Sequence, residues 1–379
     1  MRISRGAPVS RLFCINGIGT LPTLPGNRLP WPQWLVSSGQ MIAYRKTPYP
    51  IAGSLLRYLG AWGRHSMIPV VYEDLLRFSG SIPYEDKAGN ETLWQTVMYS
   101  PQEWLELRPK LTQIYAQLKI GGDLSFSQHL EVDRVDFGDF GNSKPFRVRI
   151  VNRFNDNFDH YYVKRADASR IYGLELEHIL SPNRINFLVN EGTLVEEHIA
   201  GVPGDVFIRD YLDRPEINRV RIAKEFVKFN ERSFLRLLGD MRTVNYVMDI
   251  TPDFEEVQYR VRPIDFDQQS YEGRHRVYLA QFFRDNFPIV KLVTDLLNKE
   301  TIQQYQKEER TLMARRRRVS SGRLSVLLRV MSAEELSPID HVVQLRGELA
   351  ELADSVAYEK CKTMGEIVKT HMEVMLAGM

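Results

Sequence analysis

Cysteine is nearly missing from this chain: Cys14 and Cys361 are the only two in 379 residues. So sparse a set, far apart in sequence, excludes a disulfide framework and a cysteine-rich metal cluster, and a reducing cytoplasm is the expected setting. Long apolar runs are also missing, so no membrane span is expected. The amino terminus, Met1-Arg2-Ile3-Ser4-Arg5, is basic, but Pro8, Arg11, Asn16, Pro22 and Pro25 interrupt the adjoining segment and leave no apolar signal-peptide core. Charge of one sign is absent too. Fifty Lys and Arg against 48 Asp and Glu give a net charge of +2, which argues against a nucleic-acid coat. A full glycine-rich phosphate loop is not found; Gly17-Ile18-Gly19 lacks a preceding strand and a third glycine and reads as a turn.

The length itself predicts two or three packed units. Residues 1–120 mix proline, aromatics and two or three helices, the clearest running through Trp104, Leu107, Leu111, Ile114 and Leu118 at helical spacing. All five tryptophans (31, 34, 62, 94 and 104) fall in this accessory region, where clustering points to core. Beyond Gly121-Gly122 the pattern becomes extended. Phe146 to Val151 alternates with period two and pairs with His160 to Lys164 across an Asn-Asp turn. An amphipathic stretch over Ile171 to Leu180 comes next, then a second hairpin of residues 185–189 and 193–197 turning at Glu191-Gly192. Gly201-Val202-Pro203-Gly204 reads as a linker, after which Ile217, Val220, Ile222, Ala223, Phe226 and Val227 mark a helix. Helices are expected from Tyr278 onward, including one through Leu345, Leu349, Leu352 and Val356 packed into the core.

Two acidic motifs dominate. Gly239-Asp240-Met241-Arg242-Thr243-Val244-Asn245 precedes Ile264-Asp265-Phe266-Asp267, with Tyr246-Val247-Met248 and Tyr259-Arg260-Val261 reading as a hairpin between them. Phosphoryl transfer needs a carboxylate at the attacking hydroxyl and oxygen ligands that hold Mg²⁺ against nucleotide phosphates. In this order and spacing the chain resembles the eukaryotic-like kinase superfamily over roughly residues 130–300, and its aminoglycoside and choline phosphotransferase branch most closely.

The resemblance implies an α+β, bilobal protein-kinase-like fold: an accessory region over 1–120, a small antiparallel-sheet lobe over 121–200, a large helical lobe over 201–330 and a helical extension over 331–379. It implies ATP and Mg²⁺ as cofactors, Asp240 orienting the acceptor hydroxyl, and Asn245 and Asp265 binding the metal. Arg242 stands where protein kinases carry lysine and is a candidate contact to the transferred phosphate. Leu238 replaces the usual histidine. Lys164 is the phosphate-binding lysine, with Glu177 favoured over Glu175 as its partner. Gly138 and Gly141 flank the candidate phosphate-covering loop; Glu196, Glu197, His198 and Ile199 occupy the hinge whose backbone meets adenine. Asp267 assists the metal or forms a turn.

The expected partners are a nucleotide and a hydroxyl-bearing small molecule or protein, without a membrane or a nucleic acid; an oligomer is left open. A pseudokinase or scaffold that retains the fold and acts through protein partners is the alternative. The run Arg315-Arg316-Arg317-Arg318-Val319-Ser320 reads first as a solvated helix end and second as an anion contact.

Overall fold

The computed structural model describes residues 46–86, 89–120, 128–253 and 257–379. Cys14, the Gly17-Ile18-Gly19 turn, Trp31, Trp34 and the Gly121-Gly122 pair lie outside them. Contacts divide the chain into Met1–Thr47 and Pro48–Met379, and the sheets and helices among the described residues belong to the second unit.

The unit is α+β, built on a seven-stranded antiparallel sheet in the order β1-β2-β3-β4-β5-β7-β6. Its strands are β1 (Gly80–Glu85), β2 (Glu91–Met98), β3 (Leu130–Gly138), β4 (Phe146–Asn152), β5 (Phe158–Arg165), β6 (Phe187–Asn190) and β7 (Thr193–Glu197). Helices α1 (Gly53–Ala61) and α2 (Tyr72–Leu75) precede the sheet, α3 (Pro101–Ile120) joins β2 to β3, and α4 (Ala168–Leu180) joins β5 to β6. The two hairpins and the intervening helix expected from period-two and period-3.6 patterns are present as β4–β5, α4 and β6–β7. The β1–β2 hairpin is not legible in the sequence. Pro83 and a partly exposed β1 blur its alternation; β2 joins the hairpin to the rest of the sheet through β3, Trp94 opposite Gly138.

Strand alternation gives the sheet two different faces. On one, Val132, Val135, Phe146, Val148, Ile150, Tyr161, Val163 and Val195 pack against Leu107, Leu111, Ile114 and Leu118 of α3. Each such aliphatic side chain, fully withdrawn from water, contributes about 1.5–3 kcal/mol. The opposite face carries Asp136, Arg147, Tyr162, Lys164 and Glu196, and it is this face that α4 approaches.

A second sheet has the order β10-β9-β8. Val202–Pro203, expected as a linker, is instead strand β8, paired with β9 (Tyr246–Pro252) through Val202 opposite Met248. Between them lie α5 (Gly204–Asp210) and α6 (Arg219–Arg236), and β10 (Val257–Pro263) completes the hairpin with β9. Helix α6 buries Ile222, Ala223, Phe226 and Val227 and packs on α7 (Phe287–Leu296), α8 (Lys299–Val319) and α11 (Met364–Met375). Helix α9 (Ser321–Ser332) touches α1 and α11, and α10 (Ile339–Ala353) precedes α11. Leu345 and Leu349 are buried as expected. Val356 is 72% exposed, because Asp354 adopts a left-handed conformation (φ 49°) that stops α10 before the spacing reaches it. No helix among the described residues is long and apolar enough to cross a membrane.

Candidate functional site

Helix α6 ends at Arg236, where Leu237 takes a left-handed conformation at φ 54° and turns the chain into the Asp240 loop. Two main-chain hydrogen bonds lay this loop against the second acidic motif: Gly239 N donates to Gln268 O at 3.2 Å and Ser270 N to Leu237 O at 2.8 Å. Leu238, in place of the expected histidine, is fully buried and bridges Gln269. The β9–β10 register sets Tyr246 opposite Pro263, and Ile264 N donates to Asn245 O at 2.9 Å. Asp240, Asn245 and Asp265, separated in sequence, therefore belong to two adjoining loops.

Asp240 sits at φ 57°, a region costly for most L-residues but accessible to Asp, whose short side chain bonds locally. Arg242 clasps its carboxylate with two bonds, Nε to Oδ1 at 2.8 Å and Nη2 to Oδ2 at 2.9 Å. The hydrogen bond to Asp240 is the main reason the guanidinium is held above its ordinary value. Asn245 Nδ2 donates to the Asp240 main-chain oxygen at 2.7 Å and to its carboxylate at 3.2 Å. With the amide nitrogen so committed, Oδ1 is the atom of Asn245 suited to a cation.

Lys164, on β5, is 7% exposed and donates to Glu196 Oε2 at 2.6 Å. Glu196 also receives Arg170 from α4, Nη2 reaching Oε2 at 2.9 Å and Nε reaching Oε1. Arg170 Nη1 then spans Asp265 Oδ1 at 2.7 Å and Asp267 Oδ1 at 2.8 Å. Burial pushes the Glu196 carboxyl up, but Arg170 and Lys164 outweigh it and hold the group at about 2. The Lys164 ammonium is lowered by burial and by the charge of Arg170. The Asp265 carboxyl, whose side chain is a third exposed, is raised by desolvation and by Asp267, which Arg170 offsets only in part.

The expected Lys164–Glu177 pair is not formed. Glu177 is fully buried on another side of α4, bound to Arg236, to Ser181 Oγ at 2.5 Å and to Asn183 Nδ2 at 3.0 Å. Glu175 is likewise committed, to Arg323 Nη2 at 2.7 Å and Tyr58 at 2.6 Å. Helical spacing names the acids on α4 but not their azimuth, and the acid that meets Lys164 comes from the neighbouring strand. Glu197 is also reassigned: alternation points it away from Glu196, towards Lys119 at 3.3 Å, and its amide is spent on Asn186 O at 3.1 Å. His198 N donates to His160 O at 3.3 Å, and the chain leaves the ladder before Ile199, whose side chain is buried.

Of the two candidate glycines, Gly138 ends β3 and Gly141 lies in the β3–β4 loop. Gly141 has φ 68°, as its turn requires, and a Cβ on Gly138 would lie 2.4 Å from the Phe140 ring. Phe140 rests edge-on against Trp94, centroids 5.0 Å apart. No family model and no curated protein matches this chain.

Arg170 and Gly173 were missed in the sequence. The available signal was a cation in the first turn of α4, with glycine three residues on. That glycine allows a close approach: a Cβ would come within 3.0 Å of Phe266 Cβ and 3.2 Å of Gln269 Cβ, so a larger residue would press α4 away from the Asp265 loop. Asp136, fully buried and held by Arg147 at 2.8 Å, Arg134 at 2.7 Å and Thr96 at 2.8 Å, extends the polar face beyond Lys164. Among the described residues no three His, Cys, Asp or Glu side chains converge as a ready cation site. The arginine run lies on the last turns of α8, where Arg317 and Arg318 donate to the Met372 and Met379 carbonyls at 3.3 and 3.0 Å. Two of the four arginines thus meet main-chain oxygens near the C-terminal end of α11 rather than solvent alone.

Proposed function

We propose that the chain is an ATP- and Mg²⁺-dependent phosphotransferase of bilobal, protein-kinase-like build that moves the γ-phosphoryl group to a hydroxyl of a small molecule or protein. The observation that carries the reading is the Asp240 loop. Its carboxylate is clasped by Arg242, its main-chain oxygen by Asn245, and the Asn245 carbonyl by the peptide that leads into Asp265. A turn of merely structural value has no need of a left-handed acid oriented by a bidentate arginine.

Asp240 would accept the proton of the attacking hydroxyl as its oxygen bonds to the γ-phosphorus and the bond to the nucleotide's bridging oxygen breaks. Arg242 holds that carboxylate in place and supplies positive charge beside the transferred group. The donor set of Asn245 Oδ1 and an Asp265 carboxylate oxygen is the hard-oxygen type that suits Mg²⁺, which when bound neutralises charge on the phosphates. Lys164 would meet a phosphate from the sheet side, and its bond to Glu196 supports that role by anchoring the ammonium.

One observation favours a second reading, a pseudokinase or scaffold: Arg170 already occupies Asp265 Oδ1. Turnover separates the two. Purified full-length chain with Mg²⁺ and ATP is expected to hydrolyse ATP slowly, to transfer phosphate to a member of a hydroxyl-bearing acceptor library, and to lose both in a folded Asp265→Ala variant. Equal turnover in that variant overturns the assigned metal role. Nucleotide binding without turnover under Mg²⁺ and Mn²⁺ selects the second reading.

A further inference from the structure

We infer that Arg170 is a built-in counter-cation for the metal-binding carboxylate, which a divalent cation displaces from Asp265 while Arg170 stays on Asp267 and Glu196. The inference rests on the phosphotransferase reading for the role of Asp265, but not on turnover.

Five titratable side chains form one cluster: Lys164 and Arg170 against Glu196, Asp265 and Asp267. Two cations and three carboxylates leave one negative charge, and without Arg170 they would leave two. Arg170 is 2% exposed, so its charge cannot be left without partners. The four bonds it makes to carboxylates are not equivalent. Glu196 and Asp267 are 6% and 11% exposed at the side chain, whereas Asp265 is 34% exposed. The Asp265 contact is thus the one that faces solvent and a cation arriving from it.

If that contact is exchanged, Arg170 keeps Nη1 on Asp267 and both Nε and Nη2 on Glu196, so no buried charge is stranded. The guanidinium that loses one acceptor retains its anchorage, and Asp265 trades a single-charged partner for a doubly charged one. A divalent cation alone must win this exchange before it binds, which lowers its affinity. A metal that arrives with a triphosphate brings anionic oxygens and completes its coordination more readily. The device would make the site prefer the metal–nucleotide complex over the free metal.

The test is Mn²⁺ titration of the full chain without nucleotide, with free Mn²⁺ read by electron paramagnetic resonance. Arg170→Met is expected to bind Mn²⁺ about tenfold to a hundredfold more tightly than wild type, the worth of one charge-assisted hydrogen bond. Asp265→Asn in the Arg170→Met background should remove that gain. Affinity in Arg170→Met equal to or weaker than wild type, with native near-ultraviolet circular dichroism, overturns the proposal. Where Arg170→Met fails to fold, Arg170→Lys decides. Its single ammonium cannot bridge Asp265, Asp267 and Glu196 together, so a gain in Mn²⁺ affinity supports the exchange and no gain rejects it. If Arg170→Met gains affinity and Asp265→Asn does not remove it, the metal role of Asp265 fails while a counter-ion effect of Arg170 on the remaining carboxylates stands.

Discussion

Asn245 Nδ2 lies 2.7 Å from the main-chain oxygen of Asp240, so the side chain five residues downstream closes the turn that presents the carboxylate. The bond does two jobs. It satisfies the peptide oxygen of a residue in a left-handed conformation, and it fixes which atom of the amide faces away from the loop.

Replacing Asn245 should therefore separate shape from ligation. Asn245→Asp retains an oxygen ligand but loses the donor to Asp240; Asn245→Ala loses both. Mg²⁺-dependent turnover is expected to fall by at least about a hundredfold in Asn245→Ala, and by less in Asn245→Asp. A coupled ATPase assay at saturating Mg²⁺ measures both, and equal activity in wild type and Asn245→Ala removes Asn245 from the site.

Asp240→Asn keeps a side chain that tolerates φ 57° and removes the negative charge. Turnover should drop by about 10²–10⁴-fold, the usual worth of a general base. The thermal midpoint should stay nearly constant, since the group is partly exposed. A large fall in the midpoint would recast Asp240 as a structural residue.

Glu177 serves as the control. Its buried partnership with Arg236 makes Glu177→Ala a loss of one member of an enclosed ion pair, expected to cost about 3–5 kcal/mol. Urea unfolding reads that loss. At temperatures where the variant remains folded, its Mn²⁺ affinity should match wild type, because Glu177 lies outside the Arg170 cluster.

Gly173→Ala places a methyl 3.0 Å from Phe266 Cβ, so either α4 or the 265–267 loop must shift. The expected cost is about 1–3 kcal/mol, with weakened metal affinity as Arg170 and Asp265 fall out of register. Unchanged stability would mean that the helix rides over the loop more freely than the packing suggests.

Acid should weaken the fold from just below neutrality. His371 is 1% exposed, with Nδ1 on the Tyr358 hydroxyl at 2.8 Å, and burial lowers its pKa to about 3. Its folded value is depressed, so the unfolded chain takes up the proton first: stability is fully present above about pH 6.5 and is lost as the pH falls towards 3. The loss from this one group between pH 6.5 and 5 is about 2 kcal/mol. His160 and His178, each lowered to about 4, act in the same direction. Denaturation midpoints at pH 7 and 5 should converge in His371→Gln relative to wild type; an unaltered pH slope would show that another group carries it.

Much of the framework was legible because it depends on local periodicity. The β4–β5 and β6–β7 hairpins, α4, α6 and the β9–β10 hairpin arise from alternation or helical spacing, with Glu191 at φ 49° in the turn marked by its glycine neighbour. The β1–β2 hairpin and β8 were not: Pro83 and a partly exposed β1 blur the alternation of the first, and β8 is a two-residue strand only by virtue of β9, distant in sequence. The site divides the same way. Asp240, Asn245 and Asp265 announce themselves because two loops and a hairpin of fixed length join them.

What the chain decides by itself is the set of acids and the short-range turns that expose them, since backbone conformation and spacing are encoded within a few residues. What only the folded molecule decides is which charges meet. Helix azimuth and strand alternation turn Glu177 to Arg236 and Glu197 to Lys119, leaving Lys164 to Glu196 and Asp265 to Arg170. Those pairings come from side chains converging across separate elements, where a rotation of α4 by one residue, about 100°, would select different partners.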